Sequence, residues 1–227
     1  MQQFRSTVLA LVLGAIPAAI TAQTPTQTPA APPPGAARPQ APQLPPNTWG
    51  IDKTHSELTF RIRHFMSRVG GTFRDWRGTI ALPLADSARW ENAVIDVTIQ
   101  TASIFTDNER RDADLRSSNF FAADSFPTIT FRSTRIARSG NKARIEGLLT
   151  MRGVTKPVVL DGEYLGMRHF PNNMHRVGFM ATTTINRLDY GITWNRVVEG
   201  GGVTLGDDVT IDIAMEASIR GDTPATR

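Results

Sequence analysis

The side chains that could carry out chemistry are few in this sequence, and they are widely spaced. The chain has four histidines and no cysteine. His55 and His64 are nine positions apart, and His169 and His175 are six apart. Neither spacing places two metal ligands on one short element. We therefore predict no metal site, with His64 near one end of the folded domain and His169 and His175 on a loop.

Asp112 and Asp114 form the best candidate pair of catalytic carboxylates. Each has an arginine within reach on a helix, which favours a solvated face of ion pairs over acid-base chemistry. The sequence also has no nucleophile elbow and no glycine loop for phosphate. We predict that the protein is not an enzyme and needs no cofactor.

The two aspartates belong to a segment that predicts a short helix. Thr106 and Glu109 have the spacing of a capping box, in which the two side chains satisfy free amides at a helix start. Asp107 precedes Arg111 by four residues, and Asp112 precedes Arg116 by four, a spacing that supports a helix by about 0.2–0.5 kcal/mol per pair. Only Ala113 and Leu115 are apolar here, so we expect a surface helix.

Two adjacent aromatic residues, Phe120 and Phe121, follow this helix, and Phe126-Pro127 then forces an extended backbone. A lone charged helix with an aromatic end, in a chain of strands, suggests a cover over one end of a closed sheet. The two rings either plug that end or also touch a ligand. Because they are adjacent, we expect them to point to opposite sides, so that only one could meet a ligand.

The rest of the chain after Trp49 alternates between apolar and polar residues with the period of a strand. One example is the face formed by Leu58, Phe60, Ile62 and His64. Phe73 and Trp76 can both point inward only if a bulge lies near Arg74-Asp75. Turn signals at 139–141 and 171–173 separate later strands, and the total is about eight.

Short connections and one-faced alternation predict antiparallel pairing. We prefer a closed barrel to a two-sheet sandwich because closure removes exposed edges, and eight strands enclose room for side chains or one small ligand. Gly147 and Ala181 would leave space inside. A packed core would use the same residue types, so the pattern leaves open whether the interior is a tunnel.

The first 48 residues do not belong to this domain. Residues 7–20 form an apolar run of signal-peptide length, and we expect cleavage after Ala22, with an uncleaved anchor as the alternative. Residues 23–48 are rich in Pro, Ala, Thr and Gln and predict a disordered linker. The barrel would span 49–221, and 222–227 would be a flexible tail. The net charge is +4 without any basic run, which argues against nucleic-acid binding.

A series of ordered motifs covers this domain. They are W-x-I-D-x-x-H-S at 49–56, F-x-x-x-H at 60–64, G-x-F at 71–73, S-I-x-T at 103–106, R-D-x-D-L at 111–115, F-F with F-P-x-I-T-F at 120–131, G-x-L-T-M-R-G-V-T-K-P-V at 147–158, and I-N-R-x-D-Y-G at 185–191. Together they resemble the YceI-like family of exported lipid-binding or polyisoprenoid-binding proteins. The resemblance implies an all-β, lipocalin-like, antiparallel eight-stranded β-barrel with one short covering helix, often dimeric, and it transfers no catalytic residues.

The resemblance also implies an elongated amphiphilic ligand, such as a polyisoprenoid, an isoprenoid quinone or a fatty-acid derivative. We expect a periplasmic binding protein that contacts membranes transiently to load this lipid. A ligand-free structural barrel is the main alternative, and a lipid-modifying enzyme a weaker one. Arg61, Arg63 or Arg111 could meet an anionic head group. From strand phase and the aromatic cover we predict the ligand-binding residues Phe60, Ile62, His64, Phe73, Trp76, Phe120, Phe121, Phe131, Met151, Phe179 and Ile185.

Overall fold

The computed structural model of the protein describes residues 44–197 and 203–221. The predicted signal peptide, most of the predicted linker and the predicted tail lie outside the described residues. Within the described ranges, no helix has both the length and the apolar character needed to cross a membrane.

Alternating sequence makes most of the described chain into strands. They are β1 (Thr48–Ile51), β2 (Glu57–His64), β3 (Ser67–Phe73), β4 (Trp76–Ala81), β5 (Val94–Gln100), β6 (Ile104–Phe105), β7 (Thr128–Ser139), β8 (Lys142–Met151), β9 (Val154–Phe170), β10 (Met174–Asn186) and β11 (Leu205–Arg220). The α-helix of the described part is α1 (Glu109–Arg116), and short 3-10 turns cover Lys53–His55, Leu84–Asp86, Trp90–Asn92, Thr101–Ser103, Pro171–Asn173 and Arg187–Tyr190.

The first six strands form three bent strands, each of two halves: β1 with β2, β3 with β4, and β5 with β6. Both halves of the first, β1 and β2, pair with β11. The second bent strand pairs with the first through β4–β1 and β3–β2, and the third pairs with the second through β5–β4 and β6–β3. The bends are joined to one another, since the Arg74 amide donates to Ser103 O at 3.0 Å and the Gln100 amide to Asp75 O at 2.8 Å. The bulge predicted near Arg74-Asp75 is a break between β3 and β4, and it leaves Phe73 and Trp76 both buried, as that prediction required.

Counted in this way, eight antiparallel strands form a closed ring in chain order. β5 pairs with β7, the strands from β7 to β11 pair in chain order, and β11 returns to β1 through Gly50 opposite Ser218. The up-and-down order puts α1, the β2–β3 turn, the β8–β9 turn and the segment between β10 and β11 at one end, called here the α1 end. The predicted eight-stranded, lipocalin-like barrel with one short helix is confirmed.

Aromatic packing closes the opposite end, called here the Trp90 end. Trp90, on the 3-10 turn before β5, packs against Trp49, Tyr164 and Phe179 with ring centroids 5.4, 6.2 and 4.8 Å apart. Trp49 is fully buried, and its Nε1 donates to Leu82 O at 2.9 Å. Large aromatic rings therefore close this end of the barrel.

Candidate functional site: an apolar cavity at the α1 end

The inward faces of the strands surround a cavity of about 700 Å³ that reaches the α1 end of the barrel. Nine of the predicted ligand-binding residues border it. They are Phe60, Ile62, His64, Phe73, Phe120, Phe121, Phe131, Met151 and Ile185. The cavity volume lies inside the range of about 300–1,000 Å³ that is usual for small-molecule sites. That these residues bind a ligand stays a prediction.

Two predicted residues lie elsewhere in the barrel. Trp76 is buried in the hydrophobic core beside the bend at 74–75 and borders neither cavity. Phe179 borders a second cavity of about 90 Å³, together with Trp90 and Tyr164. Strand phase correctly placed Phe179 inside the barrel, but phase specifies the face of a strand and not the height along it. Over the thirteen residues of β10, inward side chains reach both cavities.

Five side chains border both cavities and separate them. They are Val97, Phe131, Leu160, Ile213 and Met215. Phe131 leans over Gly147, where an added Cβ would collide with the Phe131 ring. The space predicted at Gly147 is therefore filled by a neighbouring ring, whereas Ala181 does line the smaller cavity. Part of the interior is thus a cavity, and part is packed.

Sequence reasoning missed several lining residues, and a signal existed for most of them. Leu58, Ile129 and Leu149 each share a strand face with a predicted residue, and Ile211 belongs to the alternating apolar face of β11, so alternation alone would have found them. Others, Ile192 and Trp194, come from the segment between β10 and β11. That segment has no strand in its described part before β11, so no periodic pattern marks which of its residues turn inward.

Helix α1 covers part of the α1 end, and Leu115 on its inner side borders the cavity. The predicted capping box is wrong: the N-cap is Asn108, whose side chain accepts from the Arg111 amide at 2.9 Å. Asp107 has a positive φ of 60°, so the chain turns there and the helix begins beyond it. Asn108 stabilises the helix start as well as Thr106 would, because Asn is among the most favourable N-cap residues.

The predicted solvated ion pairs of α1 are also wrong. Asp112 is only 3% exposed and accepts from the amide and the hydroxyl of Thr106, at 2.9 and 2.5 Å. Arg111 donates to Thr106, and Arg116 donates to Ala102 O and Ile104 O at 2.8 and 3.1 Å. These side chains therefore fasten α1 to the end of the bent strand before it.

Phe120 and Phe121 both border the cavity, which contradicts the expectation that only one could do so. Phe120 packs on Trp194 with ring centroids 5.2 Å apart, and Phe121 packs edge-on against Phe73 at 5.8 Å. The rule that neighbours point to opposite sides holds for strands, but this segment is a series of turns with a positive φ of 48° at Ala122. Both rings are therefore part of the cavity wall.

Polar side chains border the cavity mainly at the α1 end. Asn108, Arg110, Arg111 and Asp114 come from α1 and its cap, and Thr204 precedes β11. Of the arginines proposed for a head group, Arg111 lies here, Arg63 lies exposed near the β2–β3 turn, and Arg61 is paired with Asp212 at 2.5 Å.

Arg187 also borders the cavity, but its guanidinium donates hydrogen bonds to backbone carbonyl groups. It is 3% exposed and donates to Gly206 O, Ile192 O and Trp194 O at 2.6–2.9 Å. Burial lowers the pKa of its guanidinium, and Asp207 at 3.3 Å opposes that shift. Because its donors point at carbonyls, Arg187 holds the segment between β10 and β11 over the α1 end.

The histidines lie away from this cavity, except His64. His169 and His175 are not on a loop: they face each other across β9 and β10, with Nδ1 atoms 2.5 Å apart. The strands extend further toward the predicted turn at 171–173 than the sequence suggested, because β9 and β10 continue pairing to Phe170 and Met174.

Asp52, His55 and Glu216 have ligand atoms within 4.8 Å of one another outside the barrel. Arg176 already contacts Glu216 and lies 3.9 Å from Asp52. Hydrogen bonds from Thr54 and His55 lower the pKa of Asp52 to about 2. The guanidinium of Arg176 supplies the positive charge beside these carboxylates, so the cluster is an ion-pair network.

Comparison with known proteins supports these structural observations. The family model of the YceI-like domain matches residues 49–217. A UPF0312 protein of Staphylococcus aureus (strain MSSA476) is 37% identical over 171 residues, which cover 74% of this chain and 96% of that protein.

Solved structures have the same fold. The Campylobacter jejuni YCEI protein, at 31% identity, superposes with a TM-score of 0.60 over 69% of this chain and 88% of its own. A polyisoprenoid binding domain from Saccharophagus degradans, at 15% identity, superposes with a TM-score of 0.52 over 74% of this chain and 97% of its own. The chain belongs to the YceI-like family.

Proposed function

We propose that the protein binds one elongated amphiphile, with the apolar tail in the cavity and the polar head at the α1 end. The observation that carries this proposal is the distribution of polarity in the lining. Apolar side chains of the strands surround the deep part, and the polar groups are concentrated on and near α1. A ligand that is apolar along its length and polar at one end matches this distribution.

An isoprenoid-type lipid is the ligand class we favour, with an isoprenoid quinone or a fatty-acid derivative as related candidates. The Saccharophagus degradans domain of the same fold is described as polyisoprenoid-binding, which supports the choice. We place the protein in the periplasm because of the signal-peptide pattern in residues 1–22. The same apolar lining supports binding rather than catalysis.

The energetics suit a carrier. Moving a tail from water into the cavity is worth about 0.8 kcal/mol per CH₂, but a tail that leaves a bilayer was already out of water. The net preference for the protein over a membrane is therefore small, and loading and release are both possible. Selectivity among lipids would depend on the length of the cavity and on the polar groups of the α1 end. The five side chains that separate the two cavities set that length.

A pair of substitutions on one strand tests the proposal. Met151 is buried and borders the cavity, whereas Leu148 on the same strand is exposed outside the barrel. We expect Met151→Arg to abolish saturable binding of a fluorescent geranylgeraniol analogue, because an unpaired charge in an apolar cavity costs several kcal/mol. Leu148→Arg makes the same chemical change on the outer face and should leave binding intact.

Circular dichroism would show whether each variant is folded. If Met151→Arg does not fold, Ile62→Trp fills the same cavity without a charge and should weaken binding. A folded Met151→Arg protein that binds the probe with wild-type affinity would contradict the proposal.

A further inference from the structure

The β2–β3 turn at the α1 end presents two large apolar side chains to solvent. Phe65 is 46% exposed, and Met66 is fully exposed. They form the two-residue connection of a hairpin, with His64 paired to Ser67. Such connections favour Asn and Gly, so Phe-Met at this position is not explained by the turn itself.

The backbone at this turn is unfavourable as well. Phe65 has a φ of 51°, in the left-handed region that a bulky aromatic residue rarely adopts. Strained conformations of this kind persist mainly where the surroundings or a function require them. Here the strain holds an aromatic ring outward at a turn tip beside the cavity.

Further apolar side chains lie next to this turn. The Phe65 amide donates to Thr204 O at 2.9 Å, and the Thr204 amide donates to Arg196 O at 2.9 Å. Val203, exposed, is bridged to Val197, also exposed. Trp194, half-exposed, connects this group to the cavity through its contact with Phe120. We call Phe65, Met66, Trp194, Val197 and Val203 the apolar rim.

Basic side chains flank the apolar rim. Arg63 and Arg68 lie directly opposite each other across the hairpin, and both are exposed. Like charges in this position destabilise a hairpin. Arg196 is exposed beside Val197. Among the residues that the structure describes, none of these three arginines has an ion-pair partner within 4.0 Å. The exposed acids among the described residues of this end include Asp107 and Glu109 at α1 and Asp207 and Asp208 at the start of β11, and Asp207 is paired with Arg187 at 3.3 Å.

We propose that the apolar rim is the surface by which the protein docks on a membrane with anionic lipids, so that a tail passes between bilayer and cavity without crossing water. The proposal rests on the proposed function, because the cavity must accept a lipid tail. Aromatic and aliphatic side chains insert at the level of the head groups, and arginines near the surface are attracted to anionic lipids. The position of the rim at the open end of the cavity explains why these groups are clustered there.

Vesicle flotation and lipid transfer test the proposal. The vesicles contain phosphatidylglycerol and phosphatidylethanolamine, or phosphatidylcholine alone, and the probe is the fluorescent geranylgeraniol analogue. We expect flotation with the anionic vesicles, reduced by salt, and transfer whose rate rises with acceptor vesicle concentration. Met66→Glu should slow transfer by about tenfold, the effect of losing one buried apolar anchor, and leave probe binding in solution unchanged.

Two variants accompany this measurement. Met180→Glu makes the same change at an exposed position on β10, on the outer wall of the barrel, and should transfer like the wild type. Arg68→Gln should float less with the anionic vesicles, because one positive charge beside the rim is removed. If Met66→Glu does not fold, flotation of Arg68→Gln still tests the docking surface.

The outcomes separate the two proposals. A protein that binds the probe in solution but neither floats with vesicles nor changes its transfer rate in Met66→Glu would overturn the docking surface alone. If Met66→Glu changes the oligomeric state and not vesicle binding, the rim contacts a second copy, and the docking proposal is overturned too. A wild-type protein that binds no probe would overturn the proposed function.

Discussion

Tyr190 illustrates how a single residue is fixed by burial at the α1 end. It is 2% exposed, and its hydroxyl has no hydrogen-bond partner among the described residues. Burial raises the pKa of the phenol to about 12, and the nearby Asp189 contributes to the same shift. The folded protein therefore favours the neutral phenol.

Stability should accordingly depend on this group in alkali. The ordinary pKa of tyrosine is about 10, so above that pH the unfolded chain loses the proton while the folded protein keeps it. Titration of Tyr190 therefore leaves the free energy of unfolding unchanged below about pH 10 and lowers it as the pH rises from about 10 toward 12.

We expect Tyr190→Phe to raise the free energy of unfolding by about 1 kcal/mol at neutral pH, because a desolvated hydroxyl without a partner is removed. It should also flatten the decline in stability above pH 10. Urea denaturation at several pH values measures both effects, with Tyr164→Phe at the other tyrosine as control. A loss of stability in Tyr190→Phe would show that the hydroxyl has a favourable partner.

At the same scale, strand phase was the successful guide to the site. Alternation placed Ile62, Phe131 and Met151 on the inner wall, because one face of each strand must be buried in a closed barrel. It failed for Trp76 and Phe179, since phase carries no information about height along the barrel. It also could not show that the Phe131 ring would occupy the space left by Gly147.

Among the elements, α1 depends on one buried carboxylate more than on its own helix propensity. Asp112 accepts two hydrogen bonds from Thr106, and both residues are buried. A helix of eight residues is too short to be stable alone in water. The Asp112–Thr106 contact is therefore a buried polar attachment of α1 to the chain before it, beside the hydrogen bonds that Arg111 and Arg116 donate.

Asp112→Ala should lower the free energy of unfolding by roughly 1–3 kcal/mol, because the buried donors of Thr106 lose their acceptor. It should also speed release of the geranylgeraniol analogue, since α1 covers part of the cavity. Glu109→Ala, at an exposed position of the same helix, serves as the control and should change stability little. Equal effects of both substitutions on stability and release would contradict this role for Asp112.

The existence of α1 was predictable, but its attachment was not. Two good N-cap residues, Thr106 and Asn108, compete at its start, and the positive φ of Asp107 decides between them. The spacing of Asp112 and Arg116 fits an exposed ion pair as well as two separate tertiary anchors. Sequence spacing shows which residues share a helix face, whereas burial of that face depends on the neighbouring strands.

At the largest scale, the described part of the chain is a barrel that aromatic rings close at the Trp90 end, with a cavity beneath α1 at the other end. Eight strands and closure followed from the alternation and short turns, since these leave few other antiparallel arrangements. The division of the interior could not be predicted, because Val97, Phe131, Leu160, Ile213 and Met215 come from distant parts of the chain and meet only in the folded barrel.

Native mass spectrometry of the protein purified from its own host would show most directly whether the cavity holds one amphiphilic lipid. We expect a folded protein carrying a single additional mass, that of one lipid with a long apolar chain, and loss of that mass in Met151→Arg but not in Leu148→Arg. A stable, folded wild-type protein that carries no lipid, and that also fails to take up the geranylgeraniol analogue when it is supplied, would contradict lipid binding in this cavity.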